Sequence, residues 1–264
     1  MPGDDPAALE AAIEPTTRLL YLETISNPVT AVADIPGLAA VARRHGVLTL
    51  VDNTFASPMI CWPLEHGADI VVHSTTKYIG GHSDLTGGVI AFADPELFTK
   101  GWAYAIGVGM TPDPHAAWLT LRGLQTLPLR IREASANATE LAARLAAHPT
   151  VHAVHHPSLP DHPQHALGKT LLDRPGAMLS FDLAGGAPAA KQFTSAVRLI
   201  QLAASLGGVE TLTMHPASSS HRAYTPEQLA AAGISPGTVR LSTGVEDVDD
   251  LWADIAQAME KVDA

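Results

Sequence analysis

Residues 67–88 read GADIVVHSTTKYIGGHSDLTGG, and how they fold decides the rest. Residues 70–74 are a short run rich in β-branched side chains, bounded by Gly67 and Asp69 before it and by hydroxyls after it. A buried run without polar alternation suits a strand of a parallel sheet. Lys77 follows at the strand's exit, where an amine must find a partner or lose its proton. Outward from here, residues 18–23, 47–52 and 88–93 have the same apolar character. Between them, Asp34-Ile35-Pro36 opens a helix with Asp34 as N-cap, and Gly46 stops it. A shorter helical piece at 63–66 ends at Gly67. Strands alternating with helices predict a doubly wound α/β layer.

The pattern changes downstream. Helices are expected over 114–121, 128–147, 187–202 and 245–262, and strands over 151–154, 177–183 and 238–243. This predicts a large domain over residues 1–125 and a smaller α+β domain over 126–264. Residues 155–164 (HHPSLPDHPQ) read as a Pro-rich, solvated loop.

Composition removes several classes of function. The chain has 264 residues, 46% hydrophobic and 16% charged, with a net charge of −11. That balance offers no basic stripe for nucleic acid and nothing for an anionic membrane surface. One cysteine, Cys61, excludes an internal disulfide and any CxxC metal pair. It reads as a small buried apolar residue. The opening MPGDDP lacks the basic and apolar regions of a signal peptide. No run of about 18 apolar residues is present. The expectation is a cytoplasmic protein.

In open parallel sheets, ligands lie beyond the carboxyl ends of the strands. Three such ends are polar here: residues 23–28 (ETISNP), 52–54 (DNT) and 73–77 (HSTTK). Turn chemistry by itself accounts for Asn27 and Asn53, but not for Lys77. A partly desolvated lysine can form a Schiff base with a carbonyl. The hydroxyls of Ser74 and Thr76 can hold a phosphate, and Asp52, expected to be buried, can pair with a protonated ring nitrogen. Those are the protein's three contributions to pyridoxal phosphate chemistry.

At these residues the chain resembles the Cys/Met-metabolism family of pyridoxal phosphate enzymes. That family includes methionine γ-lyase, cystathionine γ-lyase, cystathionine γ-synthase and the O-acylhomoserine sulfhydrylases. The resemblance also rests on residues 51–58 (VDNTFASP), 121–130 (LRGLQTLPLR), 205–212 (SLGGVETL), 215–218 (HPAS) and 239–247 (VRLSTGVED), in family order. It implies a fold-type-I transferase-like α/β architecture: an incomplete, parallel-rich sheet domain with a smaller C-terminal α+β domain. It implies that Lys77 is the Schiff-base lysine and Asp52 the partner of the pyridine nitrogen. Ser74 and Thr76 would be phosphate ligands, and Asn27 would lie near the ring hydroxyl. Arg240 would grip the substrate carboxylate, with Ser205 beside it. No metal is implied.

The implied activity is a carbon–sulfur lyase acting by γ-elimination on methionine-, homocysteine- or cystathionine-like amino acids. A γ-replacement synthase or sulfhydrylase on O-acylhomoserine is the alternative. Ala204 stands where cystathionine-specific relatives often carry an acid, which favours substrates without a distal charge. The N-terminal part of the family pattern has no counterpart in the chain, including its phosphate-binding helix start and the arm that reaches a neighbouring subunit. Weak cofactor binding by this chain alone is therefore expected. So is either a homo-oligomer or a second chain that supplies the rest. A non-catalytic truncated scaffold or half of a split enzyme is the rival reading.

Other signals are weaker. Gly168-Lys169-Thr170 lacks the upstream glycine of a phosphate loop, because Pro163 occupies that position. His152, His155, His156, His162 and His165 lack the spacing of a metal site. No GxSxG elbow supports a hydrolase. His73, His82 and Tyr78 read as packing and hydrogen-bonding neighbours of Lys77.

Overall fold

The computed structural model describes residues 3–262; Met1 and Pro2 of the opening segment lie outside them. Two compact units are seen. The first comprises the chain up to Ser26, Val32–Pro128 and Thr170–Asp173, and the second Asn27–Ala31, Leu129–Lys169 and the chain from Arg174 onward.

The first unit runs α1 (Pro6–Ala12), β1 (Leu19–Glu23), α2 (Ile35–Arg44), β2 (Leu48–Asp52), a 3-10 turn (Pro63–His66), β3 (Ile70–Ser74), β4 (Gly88–Phe92), α3 (Pro95–Gly107) and α4 (Pro114–Leu124). Local chemistry sets the boundaries. The Asp34 carboxylate accepts the Gly37 N–H at 3.1 Å and caps α2. Past the end of α2, Gly46 adopts φ +66°, which a side chain would resist. Gly67 does the same for the 3-10 turn, at φ +94°.

The four strands lie in the order β1-β2-β3-β4. The first three are parallel, but β4 runs antiparallel to β3, against the expectation of a fourth parallel strand. The reason is the connection. Residues 75–87 turn back locally instead of crossing over through a helix, as a parallel neighbour would require. Alternation then decides the faces. Tyr21 pairs with Leu50, Glu23 with Asp52, and Asp52 with Val72, so these side chains share one face with Ser74. The other face carries Leu22, Val51 and Val71, all buried, on the side where α2 packs against β2. Helix α3 was not expected from the sequence. It is capped by Asp94, which accepts the Glu96 N–H at 2.8 Å, and it has no buried residue.

α5 (Leu127–Ala146) begins at the boundary. The second unit continues with β5 (Val151–His155), most of α6 (His165–Leu171), β6 (Met178–Leu183), α7 (Gly186–Ala196), β7 (Gln201–Leu202), β8 (Leu212–Met214), α8 (Pro226–Ala231), β9 (Thr238–Ser242) and α9 (Val248–Val262). Its sheet has the order β5-β6-β9-β8-β7 and is antiparallel except for the β7–β8 pair. One face carries the core: Leu179, Phe181, Val239 and Leu241 pack with Leu141 and Leu145 of α5, Phe193 of α7, and Leu251 and Ile255 of α9. The opposite face presents Ser180, Asp182, Thr238, Arg240 and Ser242.

Two expectations are corrected here. The helix expected over 187–202 ends at Ala196. Beyond it, the buried Asp254 carboxylate accepts the N–H groups of Arg198, Leu199 and Ile200 at 2.8–3.0 Å, which holds this segment out of the helix and leads it into β7. The loop at 155–164 is not solvated throughout, because His156 and His162 are buried. His156 is satisfied by Ser158 Oγ at 2.6 Å and the Gly176 carbonyl at 3.3 Å.

Candidate active site

In the first unit, polar groups gather beyond the carboxyl ends of β2 and β3. Asp52 ends β2 and is half-buried rather than fully buried. Its Oδ1 accepts the Thr54 N–H at 3.0 Å, and its Oδ2 accepts the Tyr21 hydroxyl at 3.1 Å. Thr54 Oγ1 in turn accepts the Ser74 N–H at 2.9 Å. Thr54 therefore ties the end of β2 to the end of β3 and brings Asp52 and Ser74 into one network.

Lys77 lies in a single wide turn, Thr75–Ile79, with φ −97° and ψ −132°, outside the helical region. The turn is closed by Gly80 N–H to the Thr75 carbonyl and Gly81 N–H to the Lys77 carbonyl, both at 2.8 Å. The Thr76 hydroxyl oxygen accepts the Gly87 N–H at 3.0 Å, which pins the returning chain beside it. Two glycines permit this close packing. A Cβ at Gly87 would stand 2.7 Å from Thr75 Oγ1, and one at Gly123 of α4 would stand 2.4 Å from the Gly80 carbonyl oxygen. Lys77, Ser74, Thr76 and Asp52 thus occupy the ends of two adjacent parallel strands and the turn that follows, all half-buried.

Asn53, the neighbour of Asp52, is fully buried and has a structural task. It accepts from Thr24 Oγ1 at 2.6 Å and donates to the carbonyls of Ser57 and Cys61. Burial pushes the His73 imidazole below its ordinary pKa, opposed by the Asp52 charge. His73 also lines an apolar cavity of about 280 Å³ with Cys61, Val71 and Trp62, on the sheet face opposite Asp52. The Cys61 thiol is buried and its pKa is pushed up to about 12, chiefly by burial, which keeps it protonated and unreactive. His82 contacts the Gly80 carbonyl through Nδ1 at 2.8 Å.

In the second unit, Arg240 lies on β9, the middle strand of five, and is 3% exposed. One terminal nitrogen donates to Asn27 Oδ1 at 3.0 Å and the other to the Ser205 carbonyl at 2.8 Å. Ser180, cross-strand from Arg240, donates to the Pro28 carbonyl at 2.7 Å, so β6 and β9 together anchor the Asn27–Pro28 segment. Arg240, Asn27 and Ser205 form one cluster. Tyr21 and Thr54 are the site residues that reading the sequence missed. The DNT and YLET stretches name them, but only the strand register shows what they touch. Among the described residues no group of His, Cys, Asp or Glu could hold a metal ion, and no helix is long and apolar enough to cross a membrane.

An α/β layer with a lysine turn at its strand ends, together with an antiparallel α+β unit carrying a buried arginine, defines the class of fold-type-I pyridoxal phosphate enzymes. The sequence profile of the Cys/Met metabolism PLP-dependent enzymes matches residues 1–260, and the chain belongs to that family. It is 46% identical to L-methionine gamma-lyase of Pseudomonas putida over 260 residues, covering 97% of this chain and 65% of that protein. It is 44% identical to cystathionine gamma-synthase of Mycobacterium leprae, covering 98% and 66%. Among solved structures, cystathionine gamma-lyase from Lactobacillus plantarum complexed with L-serine superimposes with a TM-score of 0.95 at 40% identity, covering 99% of this chain and 68% of that one. The chain thus spans about 65% of the length of the methionine gamma-lyase it matches.

Proposed function

We propose that the chain carries the pyridoxal phosphate and substrate-carboxylate machinery of a carbon–sulfur lyase acting by γ-elimination on sulfur amino acids of the methionine type. The reading is carried by the grouping of an amine, a carboxylate and two hydroxyls at the ends of adjacent parallel strands. That donor set fits the cofactor. Lys77 would hold it covalently, Asp52 would face its ring nitrogen, and Ser74 and Thr76 would face its phosphate. Bound there, pyridoxal phosphate supplies an electron sink for charge developed at the substrate Cα.

The chain's own groups do the rest. Asp52 would offer a carboxylate to the ring nitrogen. Lys77 Nζ would receive the Cα proton of the substrate and serve as the shuttle for the later proton transfers. In the second unit, Arg240 engages the α-carboxylate. A guanidinium suits that task because its planar fork presents parallel donors. Asn27 holds the Arg240 guanidinium from one side and the Ser205 carbonyl from the other, fixing the plane of the fork. Removal of a Cβ proton as well would permit the γ-substituent to leave as its thiol, and return of protons to the carbon skeleton with hydrolysis would release a 2-oxo acid and ammonia. Ala204 places no carboxylate at its position for a distal ammonium.

A covering polypeptide, either a second copy or a separate chain, belongs to the same proposal. The first unit exposes the large apolar side chains Phe98 and Trp102 of α3 and Trp118 and Leu121 of α4, each more than half exposed, which a covering polypeptide would bury.

The test uses purified chain with added pyridoxal phosphate, alone and with a polypeptide supplying the remainder of a relative. A bound-cofactor absorbance band that disappears in Lys77→Ala, with release of 2-oxo acid from methionine or homocysteine, is expected. Turnover only of O-acylhomoserine with a thiol would replace the lyase reading by γ-replacement. A band and turnover unchanged in Lys77→Ala would refute both.

A further inference from the structure

We propose that Tyr21 is a positioning residue for the cofactor, acting through the Asp52 carboxylate. The inference rests on the reading above, that Asp52 faces the cofactor ring nitrogen.

The register makes the contact possible. Glu23 pairs with Asp52 across β1 and β2, so Tyr21, two residues earlier on the same face, lies diagonal to Asp52. Diagonal neighbours are too far apart for short side chains but within reach of an aromatic one. The phenol spans that gap and donates to Asp52 Oδ2 at 3.1 Å. The backbone N–H of Thr54 holds Oδ1 at 3.0 Å. Both carboxylate oxygens are thereby anchored, from opposite ends, while each keeps a lone pair for a further donor. A carboxylate held in this way cannot rotate about its Cβ–Cγ bond without breaking a hydrogen bond.

The phenol itself reports the coupling. Burial, the Asp52 charge, the hydrogen bond to Asp52 and the Glu23 charge together raise its pKa to about 12. Tyr21 does little for the fold, since the residue is 57% exposed and outside the core. A phenylalanine there keeps the ring and removes only the donor.

The experiment has two arms on the full 264-residue chain. Without cofactor, the phenolate step assigned by difference to Tyr21 is followed by ultraviolet titration. It is expected near pH 12 and, in Asp52→Asn, lower than in the unmutated chain. A Tyr21 step at the ordinary tyrosine value in the unmutated chain would overturn the proposal. With pyridoxal phosphate, Tyr21→Phe is expected to weaken binding by about tenfold, the loss of one charge-assisted hydrogen bond. In Asp52→Asn the same replacement should cost almost nothing further, because the phenol acts through that carboxylate. Equal losses in both backgrounds would show a merely structural role and overturn the inference while leaving the functional reading intact. No cofactor band in the unmutated chain, either alone or with a polypeptide supplying the remainder of a relative, would overturn both.

Discussion

The two units solve the same packing problem to different extents. In the second, α5, α7 and α9 cover one face of the sheet, and Phe181, Phe193, Leu241 and Leu251 are essentially without solvent contact. In the first, the face bearing Tyr21 and Asp52 stays open, with Leu19, Tyr21 and Ile90 each more than two-fifths exposed. Helix α3 buries none of its residues, although Phe98 stacks edge-on against Phe92 and face-on against Trp102. The lesson is that the lysine and aspartate stand on the less covered unit, while the unit with the complete core carries the arginine cluster. Core formation and proposed chemistry are therefore separable by mutation.

The sharpest way to break this contrast is Phe193→Ala. It removes the ring packed edge-on against Phe181 at 5.3 Å between centroids in a fully closed core. A loss of about 4 kcal/mol is expected in denaturant unfolding of the second unit. A loss below about 1 kcal/mol would show that this core is no better packed than the open unit.

A pH titration comes next. Burial, the main cause, lowers both His156 and His162 to about 4, with the His155 and His165 charges adding to the effect at His162. Both groups are neutral in the fold and protonate more readily once unfolded. Their contribution is intact above the ordinary histidine pKa and declines as pH falls from about 6.5 toward 4. Unfolding of the second unit should lose on the order of 2 kcal/mol between pH 7 and 5 from His156 alone. A melting temperature that stays flat over that range would mean that the rings are hydrated. Asp182 is held below its usual value by His155 at 3.1 Å and by Thr238 at 2.6 Å, against the opposing effect of burial. Its contribution is present above the ordinary aspartate pKa and is lost only on further acidification.

Gly123→Ala probes the open unit. The added methyl meets the Gly80 and Ile79 carbonyls at 2.4 and 2.5 Å, so α4 or the lysine turn must move. A cost of about 1–2 kcal/mol is expected, with faster amide exchange at Gly80 and Gly81. Unchanged exchange there would show that α4 does not brace the turn. The smallest effect is expected for Glu10→Ala. It removes the surface pairing with Arg44 and His45 and should leave the melting temperature unchanged.

The parts legible in the sequence are those governed by neighbouring residues. Residues 70–74 form β3 as read, Asp34 caps α2, and Gly67 and Gly46 end their turns, because each depends on sterics or a hydrogen bond within a few positions. Helix α3 carried a readable start in Asp94-Pro95 but no polar face to complete the pattern. The helix expected to run through 202 stops at Ala196 for a reason invisible locally. The carboxylate that captures residues 198–200 is Asp254, more than fifty positions away. Family motifs gave roles to Lys77, Asp52, Ser74, Thr76, Asn27, Arg240 and Ser205, but none to Tyr21 or Thr54, whose importance comes from the groups they touch.

By itself, then, the sequence determined the strand ends, the helix caps, the lysine turn and the family. These are encoded by residue type at short spacing, where the chain's own geometry leaves few choices. Tertiary structure alone decided that β4 runs backward, that His156 is dry, that a phenol on β1 holds the carboxylate ending β2, and that Arg240 meets an asparagine 213 residues away. Each of those depends on which distant segments the sheets bring side by side, and strand register, unlike a cap or a glycine turn, is a property of the assembled fold.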